Sequence, residues 1–208
     1  MWSGFDVQLD QRQVEHVNKV LYTVPDKSRT VFRNAILRGM VAAKTQAKRE
    51  IKERYDITTG NMRTYETIRE RVFDFEDGVV GHISFSGEKI PLYRFHPSRR
   101  SDRRTSKFAN GKNSGFKVPA KMSAADLRGR MQERPAAFIA TFRSGHVGMF
   151  KRMGEKTKNG KPKISEYYGF SVADMLDYQE ARENVQERAQ EIIGRRIDQE
   201  LLRILNGI

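Results

Sequence analysis

The sequence predicts an α+β fold in which a mostly antiparallel β-sheet is flanked by one long helix in the N-terminal half and a second long helix at the C-terminus. Two long stretches carry apolar residues three or four positions apart, as amphipathic helices do. Two stretches between them change to period-two alternation around glycine-containing turns, which is typical of β-hairpins. No internal repeat or linker divides the 208 residues, so the whole chain, 1–208, is predicted to form a single domain.

The helical periodicity begins in an N-terminal helical segment, residues 1–28. A first helix is predicted from about Gln11 to Tyr22, and Pro25 ends it, with Asp26 or Ser28 as the cap of the next helix. The second helix is predicted from about Arg29 to Tyr55. The middle of its apolar stripe is small, which would let another helix or a sheet approach closely; the small residues are Gly39, Ala42, Ala43 and Ala47.

A turn at residues 58–61 precedes a short helix that is predicted to run to about Glu70, with Thr59 or Asn61 as its cap. The period then becomes two, and residues 72–75 and 79–85 are predicted to form a hairpin around Glu76-Asp77-Gly78. A third strand is predicted between Ile90 and Phe95.

Residues 94–121, called the basic arm below, are predicted to form an extended surface loop that returns as a strand at Phe116–Lys121. Residues 94–134 contain twelve cationic residues and three anionic ones. The arm is a candidate contact for DNA, because arginine neutralises phosphate without reading sequence. A contact with acidic residues of another subunit and a solvated loop that keeps the protein soluble are the alternatives. The candidate contact residues are Arg94, Arg99, Arg100, Arg103, Arg104, Lys107 and Lys112.

Residues 125–132 are predicted to be a short helical or irregular piece, and the central hairpin follows within Ala136–Arg152, where two apolar arms surround Ser144-Gly145. Residues 153–163 are predicted to be a flexible basic loop, and residues 164–170 a short aromatic segment at a sheet edge or against a neighbouring subunit. The last helix is predicted from Val172 to Leu205, within residues 171–206, with Ser171 as its N-cap and a bend allowed at Gly194. The candidate residues for the core or a subunit interface are Phe138, Phe142, His146, Met149, Phe150, Tyr167 and Tyr168.

Composition restricts the classes of protein. The formal net charge is +13, which favours anionic partners such as nucleic acid. No apolar run approaches the roughly 20 residues of a membrane-spanning helix, and the first residues lack the pattern of a secretory signal. The chain has no cysteine, which excludes disulfides and thiol chemistry and fits a protein made in a reducing cytoplasm.

The sequence contains no recognisable catalytic motif. The four histidines are widely spaced, and no phosphate-binding or dinucleotide-binding glycine motif is present. Ser144 beside His146 could suggest a nucleophile and a base, and Glu166 could suggest an acid, but no catalytic motif surrounds any of them. The sequence therefore predicts a protein that is not an enzyme and that uses no metal and no cofactor.

Three blocks of sequence resemble the prophage minor tail protein Z family of long-tailed bacteriophages. The central block has Ala-Phe-Ile-Ala at residues 137–140, followed by Ser-Gly-His-x-Gly-x-Phe-x-Arg at residues 144–152. The others are Ser-Gly-Glu-Lys-Ile-Pro-Leu at residues 86–92 and Ile-Ser-Glu-Tyr-Tyr-Gly at residues 164–169. Their order and spacing extend from Val31 to the C-terminus, although the basic arm is longer than the family's connection.

The resemblance implies a structural virion protein that completes the head-proximal end of the tail. Such a protein is expected to form a homo-oligomeric ring, with sixfold symmetry taken from the tail tube, and to meet a tail terminator, the tail tube or a head–tail connector. Viral DNA would pass through the lumen, and no membrane is involved. The alternatives are a non-specific nucleic-acid-binding protein and a transient tail-assembly factor.

Overall fold

The computed structural model describes residues 3–22, 25–75, 78–95, 98–99, 116–117 and 138–206. These residues have the predicted α+β fold, with antiparallel strands and long helices in the N-terminal half and at the C-terminus. The chain divides into two compact units. Unit 1 contains Met1–Glu50, Glu66–Gly87 and Val172–Ile208, and unit 2 contains Ile51–Tyr65 and Glu88–Ser171.

Unit 1 has a three-stranded antiparallel sheet in the order β1-β3-β2, formed by β1 (Ser3–Gln8), β2 (Glu66–Phe75) and β3 (Gly78–Gly87). Its helices are α1 (Gln11–Val20), α2 (Pro25–Arg54), α4 (Val172–Leu176) and α5 (Gln179–Leu205). The residues of α2 up to Glu50 belong to unit 1, and its last four residues belong to unit 2. Asp10 caps α1 in a capping box, in which its carboxylate accepts from Arg12 N at 3.2 Å and Gln13 Oε1 accepts from Asp10 N at 3.0 Å.

The core of unit 1 forms where α2 passes close to both the sheet and α5. A Cβ on Gly39 would lie 2.6 Å from Ile193 Cγ1, and a Cβ on Gly81 of β3 would lie 2.6 Å from Met40 Sδ. Gly39 therefore gives the close approach that the small stripe of this helix predicts. Glu50 is also buried there, and its carboxylate accepts from Gln46 at 2.8 Å and from Asn184 of α5 at 3.1 Å.

Unit 2 contains α3 (Thr59–Tyr65), a 3-10 turn (Leu92–Phe95) and two sheets. The two-stranded sheet pairs β4 (Ser98–Arg99) with β5 (Phe116–Lys117). The three-stranded sheet has the order β6-β7-β8, formed by β6 (Phe138–Thr141), β7 (Val147–Lys156) and β8 (Pro162–Glu166). Fully buried side chains in this unit include Met62, Ile90, Leu92, Phe95 and Met149.

Several predictions about local structure are wrong at the ends of elements. The short helix ends at Tyr65 rather than Glu70, since Glu66 and Glu70 belong to β2, and Thr58 rather than Thr59 or Asn61 accepts at its start. Helix α2 begins at Pro25, so Asp26 and Ser28 lie inside it. Proline suits a first helical position because the amide hydrogen that it lacks has no partner within the helix.

Other predictions are wrong about the type of element. Residues 3–8 form a strand inside the predicted N-terminal helical segment. The predicted third strand is reduced to an isolated antiparallel bridge between Pro91 and Tyr168, with Ile90 N donating to Phe170 O at 3.2 Å and Leu92 N donating to Tyr167 O at 2.8 Å. A 3-10 turn follows at Leu92–Phe95, where Arg94 N donates to Pro91 O at 2.9 Å. The predicted loop at 153–163 is the end of β7, a turn and the start of β8.

The predicted last helix is two helices. Helix α4 starts at Val172 as predicted and ends at Leu176, and Tyr178 has the extended backbone (φ −136°, ψ 148°) that precedes α5. Asp177 pairs with Arg182, so the break carries its own side-chain contact. The break therefore lies before α5, and Gly194 lies within that helix. The predicted piece at 125–132 and residues 118–121 of the predicted strand lie outside the described residues.

Candidate subunit interface

The central hairpin of unit 2 forms as the sequence predicts. Strands β6 and β7 pair with Phe138 opposite Phe150 and Thr141 opposite Val147. Phe142 N donates to His146 O at 2.9 Å, and Gly145 N donates to Phe142 O at 2.9 Å, which closes the turn. Gly145 has φ +83°, a conformation that side chains disfavour, so the Ser-Gly break is the residue pair that this turn requires.

Glu166 is the polar centre of this sheet. Its side chain is only 12% exposed, and its Oε1 lies 3.0 Å from His146 Nε2 while its Oε2 accepts from Tyr168 OH at 3.2 Å. A buried carboxylate is costly unless it is hydrogen-bonded, and these two partners satisfy both of its oxygens. Gly148 makes the arrangement possible, because a Cβ there would overlap Glu166 Oε1 and lie 2.8 Å from Phe150 Cζ.

Four aromatic rings lie around this carboxylate; His146 and Tyr168 contact it directly, and Phe142 and Phe150 pack beside His146. Phe142 packs edge-on against Phe150 with the ring centroids 5.1 Å apart, and His146 stacks on Phe142 at 6.1 Å. Phe150 is buried at 4% exposure, whereas Phe142 is 42% exposed and Tyr168 is 48% exposed. We call Phe142, His146, Glu166 and Tyr168 the aromatic–carboxylate cluster. It combines the nearly buried carboxylate of Glu166 with an exposed aromatic rim.

The environment of Tyr168 raises the pKa of its phenol above the ordinary value, first because burial disfavours the phenolate and then because of the charge and hydrogen bond of Glu166. Tyr65 and Glu88 add smaller contributions in the same direction. The phenol therefore stays protonated and keeps donating to Glu166 through the neutral range.

The cluster does not join the serine and the histidine that the sequence suggested as a nucleophile and a base. Ser144 Oγ lies 3.5 Å from the backbone N of His146, while the imidazole is directed to Glu166. A serine nucleophile needs the base within hydrogen-bond reach of its Oγ. His146 therefore contacts Glu166 through its ring and Ser144 Oγ through its backbone N–H.

Two of the other predicted interface residues lie in the interior of unit 2. Met149 and Tyr167 are buried at 0% and 9% exposure, and Tyr167 N donates to Met149 O at 2.8 Å. Lys151 Nζ lies 5.4 Å from the centroid of the Tyr167 ring, a cation–π contact that the sequence did not predict. The backbone of Phe138 pairs in β6 opposite Phe150. Of the remaining residues of the set, Met149, Phe150 and Tyr167 are buried, and Phe142 and Tyr168 form an exposed rim.

The basic arm is described only at its two ends. Arg94 is half-buried at the end of the 3-10 turn, where its carbonyl accepts from Asn61 Nδ2 at 3.2 Å. Arg99 lies in β4 opposite Phe116 of β5, so the arm leaves and returns through a two-stranded pairing. The remaining predicted contacts lie outside the described residues; they are Arg100, Arg103, Arg104, Lys107 and Lys112.

Sequence reasoning missed how Gly148 and Glu166 depend on each other. Two features could have revealed this dependence. The alternation of side chains along residues 146–150 places His146, Gly148 and Phe150 on one face, and Phe150 pairs with Glu166 of the next strand. In the described ranges no three His, Cys, Asp or Glu residues gather in a way that could hold a metal ion. None of the described helices has the length and apolarity needed to cross a membrane.

Comparisons of the chain with models of protein families, with curated proteins and with solved structures give no match.

Proposed function

We propose that this chain is a structural subunit of a bacteriophage tail, completing its head-proximal end as part of an oligomeric ring through which DNA passes. The resemblance of the three sequence blocks to the minor tail protein Z family suggests this role. The observation that carries the proposal is the aromatic–carboxylate cluster, in which Phe142 and Tyr168 are exposed around a satisfied carboxylate.

The exposed rim has the character of the centre of a protein interface. Large aromatic side chains dominate binding energy at such centres, and Tyr is favoured because it combines an apolar body with a polar tip. Glu166 and His146 fix the rim in position before binding, so less conformational freedom is lost when a neighbour docks. Repetition of one head-to-tail contact that closes on itself would give a ring.

The test introduces a single negative charge into the exposed aromatic rim. Phe142→Glu is expected to abolish rings in analytical ultracentrifugation and to block the joining of heads to tails when the variant complements a phage that lacks the wild-type chain. Tyr22→Glu is the control, because Tyr22 is 85% exposed at the end of α1 and should tolerate charge. Normal rings and normal joining with Phe142→Glu would contradict the proposal.

A non-specific nucleic-acid-binding protein is the second candidate, and the twelve cations against three anions at residues 94–134 favour it. It predicts binding of the isolated chain to duplex DNA that weakens steeply as salt rises. Replacing Arg99, Arg100, Arg103 and Arg104 by glutamate would then abolish binding. If the same variant still joined tails to heads normally, the basic arm would have no part in tail completion.

A further inference from the structure

Strand β2 is the end strand of the unit 1 sheet and carries exposed groups on both faces. It has ten residues, and among the described residues it pairs along its length with β3 only. Seven of its ten side chains are exposed and the other three are half-buried. A long end strand presents a row of backbone N–H and C=O groups that another strand can pair with.

One face of β2 is held to α2 by three ion pairs of 2.7 Å each. They join Arg33 to Asp74, Lys44 to Glu70 and Lys48 to Glu66. Leu37 and Val41 lie on the same ridge of α2, between Arg33 and Lys44, and are 43% and 46% exposed. This ridge thus adds an exposed apolar strip on the helix that leans over β2.

The other face of β2 has two cations followed by two aromatic rings, in the order Arg69, Arg71, Phe73, Phe75. The two rings stack with their centroids 6.3 Å apart at an interplanar angle of 27°. Phe73 is 42% exposed and Phe75 is 56% exposed. Two large rings this exposed on an end strand typically mark an interaction surface.

This order of residues is complementary to itself when it is reversed. If a second copy adds its β2 antiparallel to the first, with the two-fold axis at Val72, Arg71 lies opposite the partner's Phe73 and Arg69 lies opposite the partner's Phe75. Directly opposed residues in an antiparallel pair have their Cβ atoms about 4.5–5.5 Å apart, within the distance for a cation–π contact. On this face all four residues then lie opposite a residue of the complementary kind. On the other face the same register places Glu70 opposite the partner's Asp74, and within each chain these carboxylates are neutralised by Lys44 and Arg33.

The neighbouring registers are worse. Moving the axis to Arg71 places two copies of this arginine opposite each other, and like charges directly opposed are destabilising. Moving it to Phe73 leaves Arg69 without an aromatic residue of the described strand opposite it. A shift by one residue would put the two exposed Phe rings against the acidic face. The register centred on Val72 is therefore the one of these in which both arginines lie opposite an aromatic ring.

We infer that two copies of this chain associate through β2 into a two-fold dimer with a continuous six-stranded antiparallel sheet. The dimer brings the two α2 helices onto the same face of that sheet, where Leu37 and Val41 of each copy extend the apolar contact. A two-fold contact closes at two copies, whereas a ring needs a head-to-tail contact. The β2 surface is therefore separate from the aromatic–carboxylate cluster, and the inference stands without the proposed tail function.

The first test uses the absence of cysteine from the chain. In the proposed register the two copies of Val72 are directly opposed, at a separation that a disulfide spans. Val72→Cys should give a disulfide-linked dimer on a non-reducing gel after mild oxidation. Thr67→Cys is the matched control, since the two copies of Thr67 would lie about 33 Å apart along the strands. Failure of Val72→Cys to cross-link, or equal cross-linking of both variants, would overturn the inference.

The second test measures the association itself by sedimentation equilibrium of the full chain. Phe73→Lys places a second cation near the partner's Arg71 and should weaken the dimer by about tenfold or more. Phe142→Lys changes a ring of the same 42% exposure in unit 2 and should leave the two-fold contact unchanged, even if it abolishes rings. A wild-type chain that stays monomeric at about 100 μM or whose dimer survives Phe73→Lys would overturn the inference. So would a monomer that uses Phe73 to bind oligothymidylate, since that surface would then serve nucleic acid.

Discussion

At the scale of single residues, the candidate interface depends on Glu166, which contacts both His146 and Tyr168. Its carboxylate is almost buried and contacts His146 through Oε1 and Tyr168 through Oε2, while Gly148 leaves the space that Oε1 occupies. The exposed ring of Phe142 is positioned by contacts with His146 and Phe150. The rim is thus set by a few interdependent side chains, and each of them can be tested separately.

The close contacts around Gly148 predict that adding a single methyl group there destabilises the fold. Gly148→Ala places its Cβ against Glu166 Oε1 and within 2.8 Å of Phe150 Cζ, so the carboxylate or the ring must move. We expect the free energy of unfolding to fall by about 1–3 kcal/mol, the usual cost of overpacking, in urea denaturation. Gly60→Ala is the control, since the nearest atom to its Cβ is 4.0 Å away. Equal stability of the two variants would mean that Glu166 does not occupy this space.

The surroundings of Tyr168 predict that its phenol titrates at a higher pH than an ordinary tyrosine. Burial and Glu166 raise the pKa of its phenol, so it should ionise above the ordinary value near 10. Because the pKa is higher in the folded state, the contribution to stability is complete below the unfolded pKa and is lost as pH rises through the folded pKa. Tyrosine Cζ chemical shifts followed by NMR, with Tyr168→Phe to assign the signal, would measure the titration. Glu166→Gln should lower the pKa of Tyr168, and an unchanged value would remove Glu166 as a cause.

At the scale of elements, the close approach of α2 and α5 depends on a glycine in one helix, while a glycine in the other has room. Gly39→Ala would place a Cβ 2.6 Å from Ile193 Cγ1, whereas Gly194→Ala meets only Gln13 Nε2, at 3.6 Å. Alanine in a helix interior is otherwise better than glycine by about 0.5–1 kcal/mol. We therefore expect Gly39→Ala to lower the thermal midpoint and Gly194→Ala to raise it slightly. A rise with both variants would show that α5 does not pack against α2 at Gly39.

The elements that the sequence predicted correctly are those with a strong local period. The apolar stripe of α2, the β2–β3 hairpin and the β6–β7 hairpin each repeat at the spacing of their element. The β7–β8 hairpin was missed because its lysine-rich residues indicate a loop, although Asn159-Gly160 is a hairpin signal and Gly160 has φ +72°. Lys163 pairs with Glu155 across it at 2.9 Å.

Elements fixed by distant contacts could not be predicted from local pattern. Strand β1 is defined by its pairing with β3, about 80 residues away in the sequence, and β2 starts at Glu66 because its pairing with β3 extends to Gly87 opposite Glu66. Among the residues that the sequence named as interface candidates, Phe142, His146 and Tyr168 are connected in the structure through ring stacking and Glu166. The hydrogen bonds that join them through Glu166 required the pairing of β7 with β8.

At the scale of the whole molecule, the chain combines a formal net charge of +13 with two exposed surfaces that we propose as contacts for assembly. The rim of Phe142 and Tyr168 is the proposed contact of a ring, and β2 is the inferred contact of a two-fold pair. These surfaces belong to different units, so variants at Phe142 and Phe73 should have separable effects on the mass of the particle in solution.

The central claim is that the chain is a structural part of the tail, and the most direct test is quantitative mass spectrometry of purified phage particles separated into heads and tails. The account predicts a constant copy number in the tail fraction, about six per tail if the ring follows the symmetry of the tube. Absence of the chain from finished particles would contradict the claim and leave the transient assembly factor and the free nucleic-acid-binding protein as the candidates.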